Sequence, residues 1–346
     1  MKKVWIALLM VMCFVGLAAA QDYLYYGTLM PIDGGESPAG VALKSDGDLY
    51  YVTFNAASSD LVYVQDAVGC CQGDPCTSSV VSTETLPTGR GLNDVDLDSA
   101  GNIYINGTGS SGADTVLKKF SAAPAHTEVW SATDERINGI ELMNDDILAV
   151  SVAWNKIKFK STSDGVTSST SSEVSGGSNY QRSIALNPGN NDLYVGKNGA
   201  NSLAALKVFS GGSVDNASGY SLALDNQLAT LGVNSLYGVA TQPVYFDGNN
   251  GQLIAVDKRD ELNDAYQGVR IYNVSGTGGS SVFTEAQYID GSTAPGRTSQ
   301  YYSVGGVAYA EIGGLDFIAI AATYGPDYVI DIFRRPPTSV DDWHLY

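Results

Sequence analysis

Three features of the chain predict an all-β fold, a six-bladed β-propeller. A pair of short strands recurs six times, opening at Gly40, Asp94, Gly139, Ser183, Gly238 and Gly306. Glycine, serine, asparagine and tyrosine are plentiful while charged residues make up only 16%, which is turn-rich β composition. No stretch after the N-terminal leader carries the 3.6-residue apolar period of a helix. The six openings are 54, 45, 44, 55 and 68 residues apart. Several short strands at periods of about 40 to 50 residues mark propeller blades, and loops such as Asp257 to Gln267 lengthen the wider intervals. A pair of β-sandwiches would explain alternating strands but not the six-fold recurrence.

The leader comes first. Lys2 and Lys3 precede an apolar run from Val4 to Leu17, and Ala18-Ala19-Ala20 offers a cleavage site, the pattern of a secretory signal peptide. A run of 14 residues is too short to remain as a membrane span. The expected organisation is a signal peptide over 1–20, the propeller over 21–334 and a C-terminal tail or linker over 335–346.

Within the mature chain, Tyr23 to Leu29 looks like an outer strand without a blade. Each later unit then follows one plan, well shown by Gly91 to Phe120: a small residue, a short buried run, a turn of Asp, Gly and Asn, and a bulkier second strand such as Leu49 to Val52 or Leu193 to Val195. Small residues suit the innermost strands because blades converge on the axis. Third strands are expected at Leu61–Val64, Leu117–Phe120, Ile157–Lys160, Leu206–Phe209, Val269–Tyr272 and Val329–Phe333. Fourth strands are expected at Val80–Leu86, Thr127–Trp130, Tyr220–Leu224 and Val282–Ile289; the stretch Val166 to Val174 of the third unit, mostly serine and threonine, is poor strand material. The sixth unit reaches only a third strand before Pro336-Pro337 stops it. Pairing that strand with Tyr23 to Leu29 would close the ring and remove an exposed edge.

Charge and cysteine content narrow the setting. Of 19 basic residues two leave with the leader, so 17 face 37 acidic ones. Such a balance repels nucleic acid and anionic lipid and suits a soluble extracellular protein. Cys13 also leaves, so Cys70, Cys71 and Cys76 remain, all in one loop. An oxidising compartment predicts a disulfide from Cys76 to Cys70 or Cys71, with one thiol left over.

Few residues carry catalytic chemistry. His126, on an expected outer strand, and His344 are the only histidines, too few for a zinc site or a Ser-His-Asp triad in the channel. Glu36, Asp94 and Glu135 are candidate axial acids for paired-carboxylate hydrolysis. Gly107 to Gly112 matches G-x-G-x-x-G but opens no helix, and Asp247 to Gly251 reads as a turn. One constellation suits binding. Tyr180, Tyr237, Tyr301 and Tyr302 stand just before the inner strands of blades four to six, where with Arg182 they would make a rim of aromatic faces and polar groups for a small molecule, glycan or protein.

In strand order and turn chemistry, Tyr23 to Arg334 resembles the NHL-repeat and gluconolactonase-like six-bladed propellers. That resemblance implies a calcium site near the axis, and Glu36 in GGESPAG, Asn93 in GLNDVDLD and Asn138 in INGIEL fall where the lactonases keep three of their ligands. Where an Asp would follow, this chain has Gln181-Arg182-Ser183 and Leu236-Tyr237-Gly238. The tail PPTSVDDWHLY is similar to the linker that precedes sorting domains of the type IX secretion route. Three readings result: first a secreted, non-catalytic ligand-binding or surface-interaction module that needs no cofactor, then a calcium-assisted lactonase- or esterase-like hydrolase, and last a structural envelope or filament component assembling through outer blades or the leftover cysteine.

Overall fold

Alternation within single strands builds the architecture. In Ile103–Gly107, Ile103 and Ile105 pack toward the preceding blade while Tyr104 packs toward the following one. In Asp192–Asn198, Leu193 and Val195 turn one way and Tyr194 the other. With both faces buried, such strands read as unbroken apolar runs, and the period of two sorts them between two seams.

A computed structural model describes residues 22–29, 37–54, 58–86, 91–107, 115–152, 156–167, 174–175, 180–198, 206–225, 236–242, 251–258 and 267–336. They form six four-stranded antiparallel sheets. Blade one is β2 (Ser37–Leu43), β3 (Leu49–Phe54), β4 (Ser59–Gln65) and β5 (Thr77–Glu84). Blade two is β6 (Leu92–Leu97), β7 (Ile103–Gly107), β8 (Val116–Phe120) and β9 (Glu128–Ala132). Blade three is β10 (Ile137–Asn144), β11 (Ile147–Val152), β12 (Lys156–Ser161) and β13 (Val174–Ser175). Blade four is β14 (Tyr180–Asn187), β15 (Asp192–Asn198), β16 (Leu206–Ser210) and β17 (Ser221–Asp225). Blade five is β18 (Leu236–Gln242), β19 (Gln252–Lys258), β20 (Gln267–Ser275) and β21 (Val282–Ile289). Blade six takes β22 (Ser303–Ile312), β23 (Leu315–Tyr324) and β24 (Asp327–Arg334) from the end of the chain and β1 (Leu24–Leu29) from its beginning.

The inner strands β2, β6, β10, β14, β18 and β22 contact one another in cyclic order, so the sheets form a closed ring. Six apolar clusters fill the seams, each joining two neighbouring blades. The small residue that opens each unit has a steric cause. A Cβ on Gly40 would lie 2.5 Å from Asp94 Cα, one on Gly139 2.6 Å from Ser183 Cα, and one on Gly306 2.4 Å from the Ala39 oxygen. At these three positions the inner strand presses its opening glycine onto the backbone of the next blade, at distances no methyl group tolerates.

Closure is as the sequence predicts, with β1 antiparallel to β24 from Leu24 opposite Arg334 to Leu29 opposite Ile330. Asp331, fully buried, is the hub of that seam. It accepts from Thr28 Oγ1 at 2.5 Å, Tyr301 Oη at 2.6 Å, and Arg297 Nη1 and Nη2 at 2.6 and 3.0 Å. Four charge-assisted bonds satisfy a carboxylate that would otherwise cost several kcal/mol, on the order of 3 to 5, to leave unpaired.

Two boundaries differ from expectation. Arg335, assigned to the tail, is buried, with Nη1 3.2 Å from Asp316, Nη2 donating to Gln252 at 2.5 Å, and its guanidinium over the Tyr23 ring. This side chain ties the end of the last strand to blade five and to the N-terminus. His126 lies in the turn before β9, not on an outer strand, with φ of 46° and Nε2 3.1 Å from Tyr50 Oη. The disulfide joins Cys70 to Cys76, leaving Cys71 as the thiol. No helix among the described residues is long and apolar enough to cross a bilayer.

Candidate functional site

The inner strands surround a cavity of about 280 Å3 lined by β2, β6, β10, β14 and β22. Three carboxylates, of Asp94, Asp96 and Glu141, line it, while Val41, Val95, Ile140, Ile184 and Val307 pack into the seams between blades. Among the described residues no lysine or arginine lines it. The acids break the repeat. Asp94 stands where other units have Gly or Ser, and Asp96 and Glu141 stand where Ala42, Ala185, Ala240 and Ala308 occur.

Geometry explains how the fold holds them. An innermost strand has no partner on its axial edge, so some of its amides need acceptors. Asp94 Oδ2 accepts from Ile140 N at 3.2 Å, Asp96 Oδ2 from Leu142 N at 2.6 Å, and Glu141 Oε1 from Leu186 N at 3.0 Å. Each carboxylate therefore stitches its blade to the next. The other oxygens of the aspartates accept from Val95 N at 3.0 Å and Leu97 N at 2.7 Å, which fixes both carboxylates in place.

Electrostatics oppose full ionisation. Burial, and after it repulsion from Asp96, pushes Asp94 up to about 7 against the amide bonds that favour its charge. Burial likewise carries Asp96 to about 6, and Glu141, facing both aspartates, is raised well above the usual carboxylate range. A cavity lined by acids raised in this way, with no lysine or arginine lining it among the described residues, favours a positive group that enters it.

The residues singled out in the sequence are partly dispersed. Asp94 lies in the cavity. Glu135 is outside it, ion-paired to Lys156 at 3.5 Å and Lys158 at 3.3 Å. Tyr301 does not face a channel mouth; it is fully buried in the seam between blades five and six, its hydroxyl on Asp331. Tyr302, the next residue, turns outward and is 70% exposed. Arg182 and Asn93 are half-buried on the inner strands β14 and β6. The backbones of Tyr180 and Tyr237 begin or lie in β14 and β18, but their side chains lie outside the described residues, as does Glu36. Asn138 is buried and donates through Nδ2 to the Gln181 oxygen at 2.6 Å, leaving its Oδ1 without a partner. Among the described residues no group of three or more His, Cys, Asp or Glu side chains is arranged to hold a metal ion. The channel acids are spread along a wall and tied to separate amides, rather than converging on a point. Asp96 and Glu141 escaped the sequence reading, although an acid at an alanine position of the repeat was the available sign.

Comparison with known proteins gives the fold and no more. No family model matches the chain, and no curated protein matches it. Among solved structures, it is similar to the WD40 repeats of RRP9, with a TM-score of 0.57, 9% identity, and coverage of 91% of this chain and 100% of that one. It is also similar to a catalytically inactive virginiamycin B lyase from Staphylococcus aureus solved with quinupristin, with a TM-score of 0.52, 13% identity, and coverage of 90% and 99%. At these identities the likeness establishes architecture alone: the chain is a six-bladed β-propeller.

Proposed function

We propose that the protein is a secreted, non-catalytic binding module whose channel takes a small, positively charged organic ligand. The observation that carries this reading is the cavity of about 280 Å3 lined by three carboxylates and, among the described residues, by no lysine or arginine. Its volume falls just below the usual range of small-molecule sites, roughly 300 Å3 upward, which suits a small ligand. The acids accept its charge, and the spread of the carboxylates suits several ammonium hydrogens better than one compact ion. Secretion rests on the leader at 1–20.

Thermal unfolding of the mature protein with spermidine or tetramethylammonium, against sodium chloride at matched ionic strength, tests this directly. A ligand at about 100 times its dissociation constant stabilises by about 2.7 kcal/mol, a readily seen rise in melting temperature. The rise is expected to vanish in the Asp96→Asn, Glu141→Gln double variant. An unmoved transition with every organic cation would overturn the reading.

A calcium-assisted hydrolase is the second reading, favoured by the orphaned Oδ1 of buried Asn138, a hard oxygen of the type calcium takes. It calls for stoichiometric calcium in the mature protein and a melting temperature that falls on chelation. Metal analysis by mass spectrometry separates the two.

A further inference from the structure

The loop between β4 and β5 of blade one does not stay within its own blade. It forms a one-turn helix, α1 (Ala67–Cys70), capped by Asp66, whose Oδ1 accepts from Gly69 N at 3.0 Å. Ala67 and Val68 enter the apolar cluster that also holds Leu29 of β1 and Ile330 and Ile332 of β24, with Tyr26, Cys70 and Cys71 packed on it. The contact is closest at Gly27. A Cβ there would lie 2.4 Å from Cys71 Cβ and 2.9 Å from its Sγ, so this glycine is the seat of the Cys71 side chain. The Cys70–Cys76 disulfide, with Cα atoms 5.1 Å apart, staples the loop in this position.

From this juxtaposition we infer that the stapled loop is a redox-dependent clip over the strand that closes the ring, and that docking of β1 fixes the Cys70–Cys76 pairing by covering Cys71, which it leaves half-buried. While β1 is docked, Cys71 is inert: burial, and the nearby Asp331 carboxylate after it, push its thiol up to about 12, and little thiolate forms. When β1 leaves, Cys71 regains an ordinary thiol beside the disulfide. Its thiolate can then attack Cys76 Sγ, forming Cys71–Cys76 as Cys70–Cys76 breaks, and Cys70 leaves as a thiolate that takes up the proton. The exchange needs no external oxidant or reductant. Complete opening of the clip needs two electrons and two protons from a dithiol, which is itself oxidised to its disulfide.

Native alkylation of the mature protein with iodoacetamide, followed by peptide mapping, tests the inference. The wild type is expected to show only Cys70–Cys76, with Cys71 alkylated at least about 100-fold more slowly than in the unfolded chain. In Gly27→Val, which fills the seat, labelling should rise at least about tenfold and Cys71–Cys76 peptides should appear. Wild-type Cys71 reacting at the unfolded rate, or unchanged labelling and pairing in a folded Gly27→Val, overturns the inference. Should that variant not fold, the wild type treated with dithiothreitol decides. Reduction is expected to make residues 22–29 a preferred site of chymotrypsin cleavage, and equal protection before and after reduction contradicts the clip.

Discussion

Asp94 and Asp96 show how one residue position can carry both architecture and chemistry. At the equivalent positions the other blades use glycine, serine or alanine, with Glu141 the one further exception, and at Gly40, Gly139 and Gly306 the opening residue of the inner strand meets the backbone of the next blade. Asp94 and Asp96 instead bond amides of the facing blade, Ile140 N and Leu142 N. This bonding carries a penalty that depends on pH. The folded values, about 7 for Asp94 and about 6 for Asp96, lie above the ordinary carboxylate value of about 3.9 in the unfolded chain. The folded state thus holds more protons than the unfolded one. The stabilising contribution is full below about pH 4 and is lost as pH rises through 6 and 7. Chemical denaturation at about pH 5 and pH 8 should show the wild type losing on the order of 2 kcal/mol over that interval, with the loss reduced in Asp94→Asn. Equal slopes in the two proteins would contradict the assignment. The steric rule of small inner residues was legible in the sequence, since it recurs with the period. The acids at Asp96 and Glu141 were not, because single departures from a repeat look like ordinary turn residues until the strands are placed around an axis.

Among the elements, β1 carries the most consequence for its length. It supplies only six residues, yet it completes blade six, and its Thr28 hydroxyl shares Asp331 with Arg297 and Tyr301. Asp331→Ala should destabilise the propeller by about 3 to 5 kcal/mol, since it leaves a guanidinium and two hydroxyls without their acceptor. Denaturant unfolding measures this, and a loss below about 1 kcal/mol would show that water replaces the hub. Ring closure could be foreseen because the sixth unit lacked a strand and the N-terminus offered one. The burial of Tyr301 could not: neighbouring residues before β22 point in opposite directions, and only the fold decides that Tyr301 turns to Asp331 while Tyr302 faces solvent. Arg335 escaped for a related reason, as an arginine before two prolines reads as the start of a tail until Asp316 and Gln252 are found beneath it. In blade three the described part of the fourth strand is the two-residue β13.

Across the whole molecule, six seams packed alike leave the ring nearly symmetric, and the acids of blades two and three break that symmetry on one side of the channel. Similar propellers among solved structures share the ring at 9% and 13% identity, so function has to be argued from this asymmetric wall rather than from the fold. A cation that binds there must displace protons from the raised carboxylates. Binding should therefore strengthen as pH rises and should release protons to the buffer. The most direct measurement is calorimetric titration of the mature protein with spermidine at about pH 5 and about pH 8, in two buffers of different ionisation enthalpy, beside the Asp96→Asn, Glu141→Gln variant. The account predicts saturable binding at the higher pH, at least about tenfold weaker at the lower, with proton release and with no binding by the variant. Absence of binding at both pH values, or equal affinity in the variant, would contradict it.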